Sequence, residues 1–156
     1  MIGVLIVTHY HLAEELLQTL QLIVGEVQNF HAIGLDPSFA EAYNNLGLTY
    51  TETSEEEKAT EAFTKALQLN PKLHAVYNNL GYVFYKQGSY EQAVEMYNEA
   101  LNRSVSSSSA YINLGNAHFK LGREDKAIKA WRKALEIDPS NEKASQYLER
   151  VESKKR

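Results

Sequence analysis

AEAYNNLGLTY (residues 40–50), HAVYNNLGYVF (residues 74–84) and SSAYINLGNAH (residues 108–118) decide the fold of this 156-residue chain. From Ala40 to His74 to Ser108 the step is 34 residues both times. A repeat at such a period means that one supersecondary unit is copied and stacked. The register continues through the second half of each unit. Ala59, Ala93 and Ala127 share one position, Phe63, Tyr97 and Trp131 a second, and Ala66, Ala100 and Ala134 a third. Pro71 and Pro139 close the first and third units, and Pro37 lies one step before Pro71.

The spacing predicts two helices per unit. Tyr43, Leu46, Gly47 and Tyr50 fall at i, i+3, i+4 and i+7, one face of a helix. Ser38 with Glu41, Ser54 with Glu57 and Ser89 with Gln92 have capping-box spacing, which places helix starts there. Gly88 marks the end of a first helix, and Pro71 and Pro139 interrupt helices between units. Gly47, Gly81 and Gly115 stand mid-helix, where glycine costs about 1 kcal/mol relative to alanine. The same cost at the same phase three times predicts close helix approach, with a large ring from the paired helix filling the space. One helix pair cannot bury its apolar face alone, so the units must stack into a solenoid. Glu142 to Glu152 follows as an amphipathic helix with Ala144, Tyr147, Leu148 and Val151 on one face, as expected of a terminal cap. In the second unit Val105 replaces the closing proline. The serines from Ser106 to Ser109 predict a polar turn with local capping.

Bulk properties bound the function. Apolar content of 44% and charged content of 23% are those of a globular protein. A net charge of −4 leaves no electrostatic footprint for nucleic acid, and the basic end Lys154-Lys155-Arg156 reads as a solvated terminus. The absence of cysteine removes disulfides, thiolate metal sites and a cysteine nucleophile. The apolar run Ile2–Val7 is too short to span a bilayer and lacks the flanks of a signal peptide. The expectation is a cytoplasmic protein without a membrane partner, a metal or a cofactor.

The series Tyr43-Leu46-Gly47-Tyr50-Ala59-Phe63-Ala66-Pro71, repeated twice with conservative changes, resembles the tetratricopeptide repeat (TPR). The resemblance covers residues 38–152. It implies a mainly α TPR solenoid of three helix-pair repeats (residues 40–73, 74–107 and 108–141) plus a C-terminal cap helix (142–153), within a TPR domain at 38–156. It also implies a non-enzymatic adaptor or scaffold that holds a protein or an extended peptide in a concave groove lined by the first helix of each unit. In this chain those helices offer Asn45, Asn79 and Asn113 at one phase, with Asn44 and Asn78 before two of them and Asn116 one turn beyond the third. A carboxamide carries both donors and an acceptor. The row is similar to the asparagine ladder of some TPR proteins, and can bond a peptide backbone or neighbouring helices. Family members that bind chaperone tails use a clamp of lysine, arginine and asparagine. At the matching positions stand Asn44, Leu48, Asn79, Ser109 and Asn113, with no cation, so no tight recognition of an acidic C-terminal tail is expected.

Residues 1–37 do not repeat. Ile2–Val7 reads as a strand buried on both faces, and Leu12, Leu16, Leu20, Ile23 and Val27 as a helix. The run from Met1 to His9, with Leu12-Ala13-Glu14-Glu15-Leu16-Leu17 and Ile23-Val24-Gly25-Glu26, resembles the start of the IIA component of the mannose family of sugar phosphotransferase systems. The resemblance implies a truncated βα segment in which His9 accepts a phosphoryl group. Tyr10 stands where that family has glycine, and the rest of its sheet is missing. His9 is therefore a phosphoacceptor candidate, not a committed catalytic residue; His9-x-His11 has no third metal ligand nearby. Ala32 and Pro37 share the phase of Ala66 and Pro71, so the segment can also supply a helix to the stack. Alternatively Ile2–Val7 pairs with a second chain, since an unpaired apolar strand invites self-association. The runner-up functions are a phosphotransferase-related protein working through His9, and a fused chimera without evolved joint function.

Overall fold

A computed structural model of the chain describes residues 37–104 and 106–153. Among the described residues there are seven helices and no strands: α1 (Pro37–Glu52), α2 (Glu56–Leu69), α3 (His74–Lys86), α4 (Tyr90–Arg103), α5 (Ser108–Lys120), α6 (Glu124–Ile137) and α7 (Glu142–Glu152). Residues 1–36, with the expected strand at Ile2–Val7, the helix after it and His9, lie outside the described residues, as does Val105.

Helices pair within each unit, α1 with α2, α3 with α4 and α5 with α6, and each second helix packs on the first helix of the next unit. First helices of successive units also touch, α1 on α3 and α3 on α5, while the second helices are held further apart. The stack therefore curves, with α1, α3 and α5 on its inner side.

The glycine positions set the spacing within each pair. A Cβ on Gly47 would lie 2.6 Å from the Phe63 ring, and one on Gly81 would lie 2.7 Å from the Tyr97 ring. A Cβ on Gly115 would press still closer on the Trp131 indole. Among the described residues the three rings are the largest fully buried side chains. A close helix approach has thus been filled by a ring from the partner helix, as the repeated glycine predicts. Ala59, Ala93 and Ala127 are completely buried at the matching place on the second helices. Helix α7 closes the end of the stack: Leu148 and Val151 pack with Ala127 and Trp131, and Ala144 joins Ile112 and Ala134. Tyr147 stacks on Trp131 with ring centroids 5.3 Å apart.

Helix α1 runs from Pro37, so Ser38 lies within it rather than ahead of it. The other two expected capping boxes do not form. Ser54 is not a cap. It has φ 60°, in the left-handed region, and falls at the step occupied by Gly88 (φ 78°) and Gly122 (φ 70°). Ser89 does precede α4, but its side chain makes no capping bond. Side-chain caps form at Ser107, whose Oγ accepts from the Ala110 N–H at 3.2 Å, and at Asn141, whose Oδ1 accepts from the Ala144 N–H at 3.2 Å. The serine run is thus the locally capped turn expected of it. Ser108 Oγ also donates to the Ala134 carbonyl at 3.1 Å, fastening the start of α5 to the end of α6.

Candidate functional site

The asparagines meet across the inner face. Asn79 Nδ2 donates to Asn44 Oδ1 at 3.0 Å, and Asn113 Nδ2 donates to Asn78 Oδ1 at 3.2 Å. Each bond joins residues 35 apart, one more than the repeat step, and so ties the first helix of one unit to that of the next. Asn116 is held differently: its Oδ1 accepts from the Trp131 indole N–H at 3.1 Å. Asn45 is exposed, and its backbone carbonyl accepts from Thr49 Oγ1 at 3.0 Å. Five of the six candidate asparagines therefore bond to a neighbouring helix. These bonds use only part of each carboxamide, which has two N–H donors and an acceptor with two lone pairs.

Two of the bonded asparagines, Asn78 and Asn79, line a shallow cavity of about 130 Å³ with His74, Ser107 and Ser109. The positions Asn44, Leu48, Asn79, Ser109 and Asn113 carry no charge. Nearby, Lys86 is engaged by Glu56 at 3.5 Å and by the Thr51 carbonyl at 3.4 Å. Among the described residues no group of three metal-ligating side chains occurs, and no helix is long and apolar enough to cross a membrane.

The sequence reading passed over the aromatic part of this face. Tyr82, one step from Leu48 and Asn116, is 45% exposed. Tyr85, three residues on, has its ring 5.3 Å from that of Tyr90. Burial, then the nearby phenols of Tyr90, Tyr147 and Tyr82, push its hydroxyl above the usual tyrosine pKa. Tyr147 on α7 falls one step beyond Asn113, so the asparagine row ends in a ring. Phe119, one step beyond Tyr85, lies 5.8 Å from Trp131. The signal was available in the 34-residue step, which aligns Thr51, Tyr85 and Phe119.

His118 was also missed. It stands where the first two units have Tyr50 and Phe84 and is 9% exposed, with Nδ1 buried and without a hydrogen-bond partner. Burial, then the positive charges of Lys126 and Arg123, lowers its pKa below the usual histidine value.

A curved stack of helix pairs with a polar and aromatic inner face defines the class of helical-repeat proteins. Tetratricopeptide repeat models match residues 40–73 and 108–141, with further repeat models over residues 62–95 and 81–122. The chain belongs to the tetratricopeptide repeat family. Among solved structures, the first TPR of Spaghetti (RPAP3) bound to the HSP90 peptide SRMEEVD is 23% identical, with a TM-score of 0.74 over 78% of this chain and 97% of that one. MamA is 23% identical, with a TM-score of 0.75 over 92% of this chain and 74% of that one. The second TPR domain of human RPAP3, in complex with the HSP70 peptide SGPTIEEVD, is 22% identical, with a TM-score of 0.72 over 75% and 98%. Among curated protein sequences no match is found. The family matches begin at residue 40, and the phosphotransferase IIA resemblance of residues 1–37 gains no support from them.

Proposed function

We propose that this chain is a non-catalytic adaptor whose residues 38–156 form one binding domain, holding an extended peptide segment of a partner protein along the inner face of α1, α3 and α5. The observation that carries this reading is the cross-helix pairing of Asn44 with Asn79 and of Asn78 with Asn113. The pairing fixes the carboxamides in a row while leaving groups on each for a ligand backbone. Asn45 and Asn116 extend the row at its two ends. The TPR neighbours in complex with HSP90 and HSP70 peptides support an adaptor role. Their acidic tails are not the ligand class proposed, because the five matching positions here hold no cation to neutralise a carboxylate.

The test is retention of peptides from a random decapeptide panel by the wild type and by an Asn45/Asn79/Asn113→Ala variant, with helicity checked by circular dichroism. Loss of retention with helicity intact supports the row as the contact. Equal retention removes it. A Glu-Glu-Val-Asp peptide bound with a low-micromolar Kd would overturn the argument against acidic tails.

A further inference from the structure

Resting on that reading, we infer that the inner face has a resident occupant: the run Ile2–Val7 of this same chain, lying extended across α1 and α3 with apolar side chains on Leu48 and Tyr82, so that a partner segment binds by displacing it.

Three observations converge on this occupant. The first is a pair of apolar side chains. Among the described residues the exposed large hydrophobics are Phe39, Leu48 and Tyr82. Two of them, Leu48 at 39% and Tyr82 at 45% exposure, fall at one place on the inner face. Leu48 lies four residues after Asn44, and Tyr82 three after Asn79. Each is therefore one helical turn on from the bond that joins those asparagines. Apolar area left in water beside that bond favours an apolar side chain laid against it.

The second is the balance of donors and acceptors. Asn79 and Asn113 donate through Nδ2 and keep Oδ1 as an acceptor, while Asn44 and Asn78 accept through Oδ1 and keep Nδ2 as a donor. Each bonded pair thus offers a donor beside an acceptor. An extended backbone offers the complement, one N–H and one C=O on every residue that is not proline.

The third is charge and connection. No charged side chain stands at Asn44, Leu48, Asn79, Ser109 or Asn113. In residues 1–36, outside the described residues, the acids are Glu14, Glu15, Glu26 and Asp36, and neither lysine nor arginine occurs, so Met1–Ala13 carries no fixed charge. Within that stretch Ile2–Val7 has no polar side chain and no proline. Its β-branched Ile2, Val4, Ile6 and Val7 favour an extended backbone. Residues 8–36 connect the run to α1, and as a flexible coil that length spans roughly 30 Å, about the width of three packed helices. The connection holds the run at a local concentration on the order of millimolar. An apolar strand with an open edge invites pairing, and this face supplies a partner within the chain.

The experiment is hydrogen exchange of the whole chain, read on the amides of residues 2–7 over a wide range of protein concentration. Protection that is independent of concentration is expected, and it should disappear in a Leu48→Ser/Tyr82→Ser variant whose circular dichroism is unchanged. A second variant, Val4→Asp/Ile6→Asp, leaves the repeats untouched and should retain members of the random decapeptide panel more tightly than wild type. The gain is about tenfold if the run covers the face about nine-tenths of the time. Amides 2–7 exchanging as in a free peptide, or protection that survives Leu48→Ser/Tyr82→Ser, overturns the inference. Protection that appears only at high concentration also overturns it and gives the run to a second copy of the chain. If panel peptides bind wild type and Val4→Asp/Ile6→Asp equally, the face is open, the inference falls and the peptide-binding reading stands. If neither protein retains any peptide, that reading falls, and amides 2–7 alone decide the inference.

Discussion

Replacing Gly115 by alanine tests whether the repeated glycines exist to let a ring in. The new Cβ would sit well inside contact distance of the Trp131 indole, whose ring is 2% exposed and cannot swing into solvent. Forcing an extra carbon into a packed core costs about 1–3 kcal/mol. The atom it meets is Nε1, so the bond to Asn116 at 3.1 Å is displaced as well, for about another 1 kcal/mol. Alanine's better helix propensity returns about 1 kcal/mol. The net expectation is a loss of about 1–3 kcal/mol, worth several degrees in Tm for a domain of this size. Trp131 is the one tryptophan in the chain, so its fluorescence reports the perturbed site while circular dichroism at 222 nm reports the array. A double variant with Trp131→Leu should lose less than the sum of the single changes, because the clash vanishes with the indole. A Gly115→Ala protein at least as stable as wild type, or strict additivity in the cycle, would refute the packing argument.

Further outcomes follow from other sites. Ser54→Gly should stabilise the chain by about 0.5 kcal/mol, because it removes a left-handed serine that costs roughly 1–2 kcal/mol and returns part of that as glycine entropy; the urea midpoint should rise with an unchanged slope. His118 should make stability fall in mild acid. Its folded pKa lies below the unfolded value of about 6.5, so below pH 6.5 the unfolded chain takes the proton first. The contribution is complete above that pH and is lost as pH falls towards the folded pKa. His118→Phe should flatten this part of the urea-midpoint profile between pH 7 and 5. Arg103→Ala should cost about 1–2 kcal/mol, since its Nε donates to the Pro71 carbonyl at 2.9 Å and its guanidinium lies 4.1 Å from the Tyr77 ring centre. Arg103→Lys should not restore the loss in urea unfolding, because the planar fork is missing.

The repeat, the ring beside each glycine, the capped serine turn and the buried face of the last helix were all legible in the sequence, because each depends on local spacing. The helix start at Ser89 was read correctly and lacks only its side-chain cap bond, while the start after Ser54 was one residue early, with Glu55 at the cap position. Comparing Ser54 with Gly88 and Gly122 across units identifies the left-handed position. The candidate asparagines were found as a row, yet their mutual bonds were not. The bonding offset is 35 residues against a period of 34, so aligning equal phases does not pair them. Tyr82 and Tyr85 went unremarked because Leu48 and Asn116, Thr51 and Phe119 share their phases and no ring repeats there through all three units, while Tyr147 was read only as part of the buried face of the last helix. His118 hid as one histidine in an aromatic column.

The contact pattern also says how this chain should respond to force. Among the described helices, the extensive packing joins sequence neighbours, with lighter contact between adjacent first helices and of α7 on α5, so no helix clasps two distant parts of the chain. A load applied between the ends passes through each seam in series and is never shared between seams. The array should therefore yield one helix pair at a time, in a sawtooth of small steps, with α7 as the first piece to peel from its end. On release, each pair needs only its neighbour as a template to re-form, which gives a molecule that stretches and recovers by units.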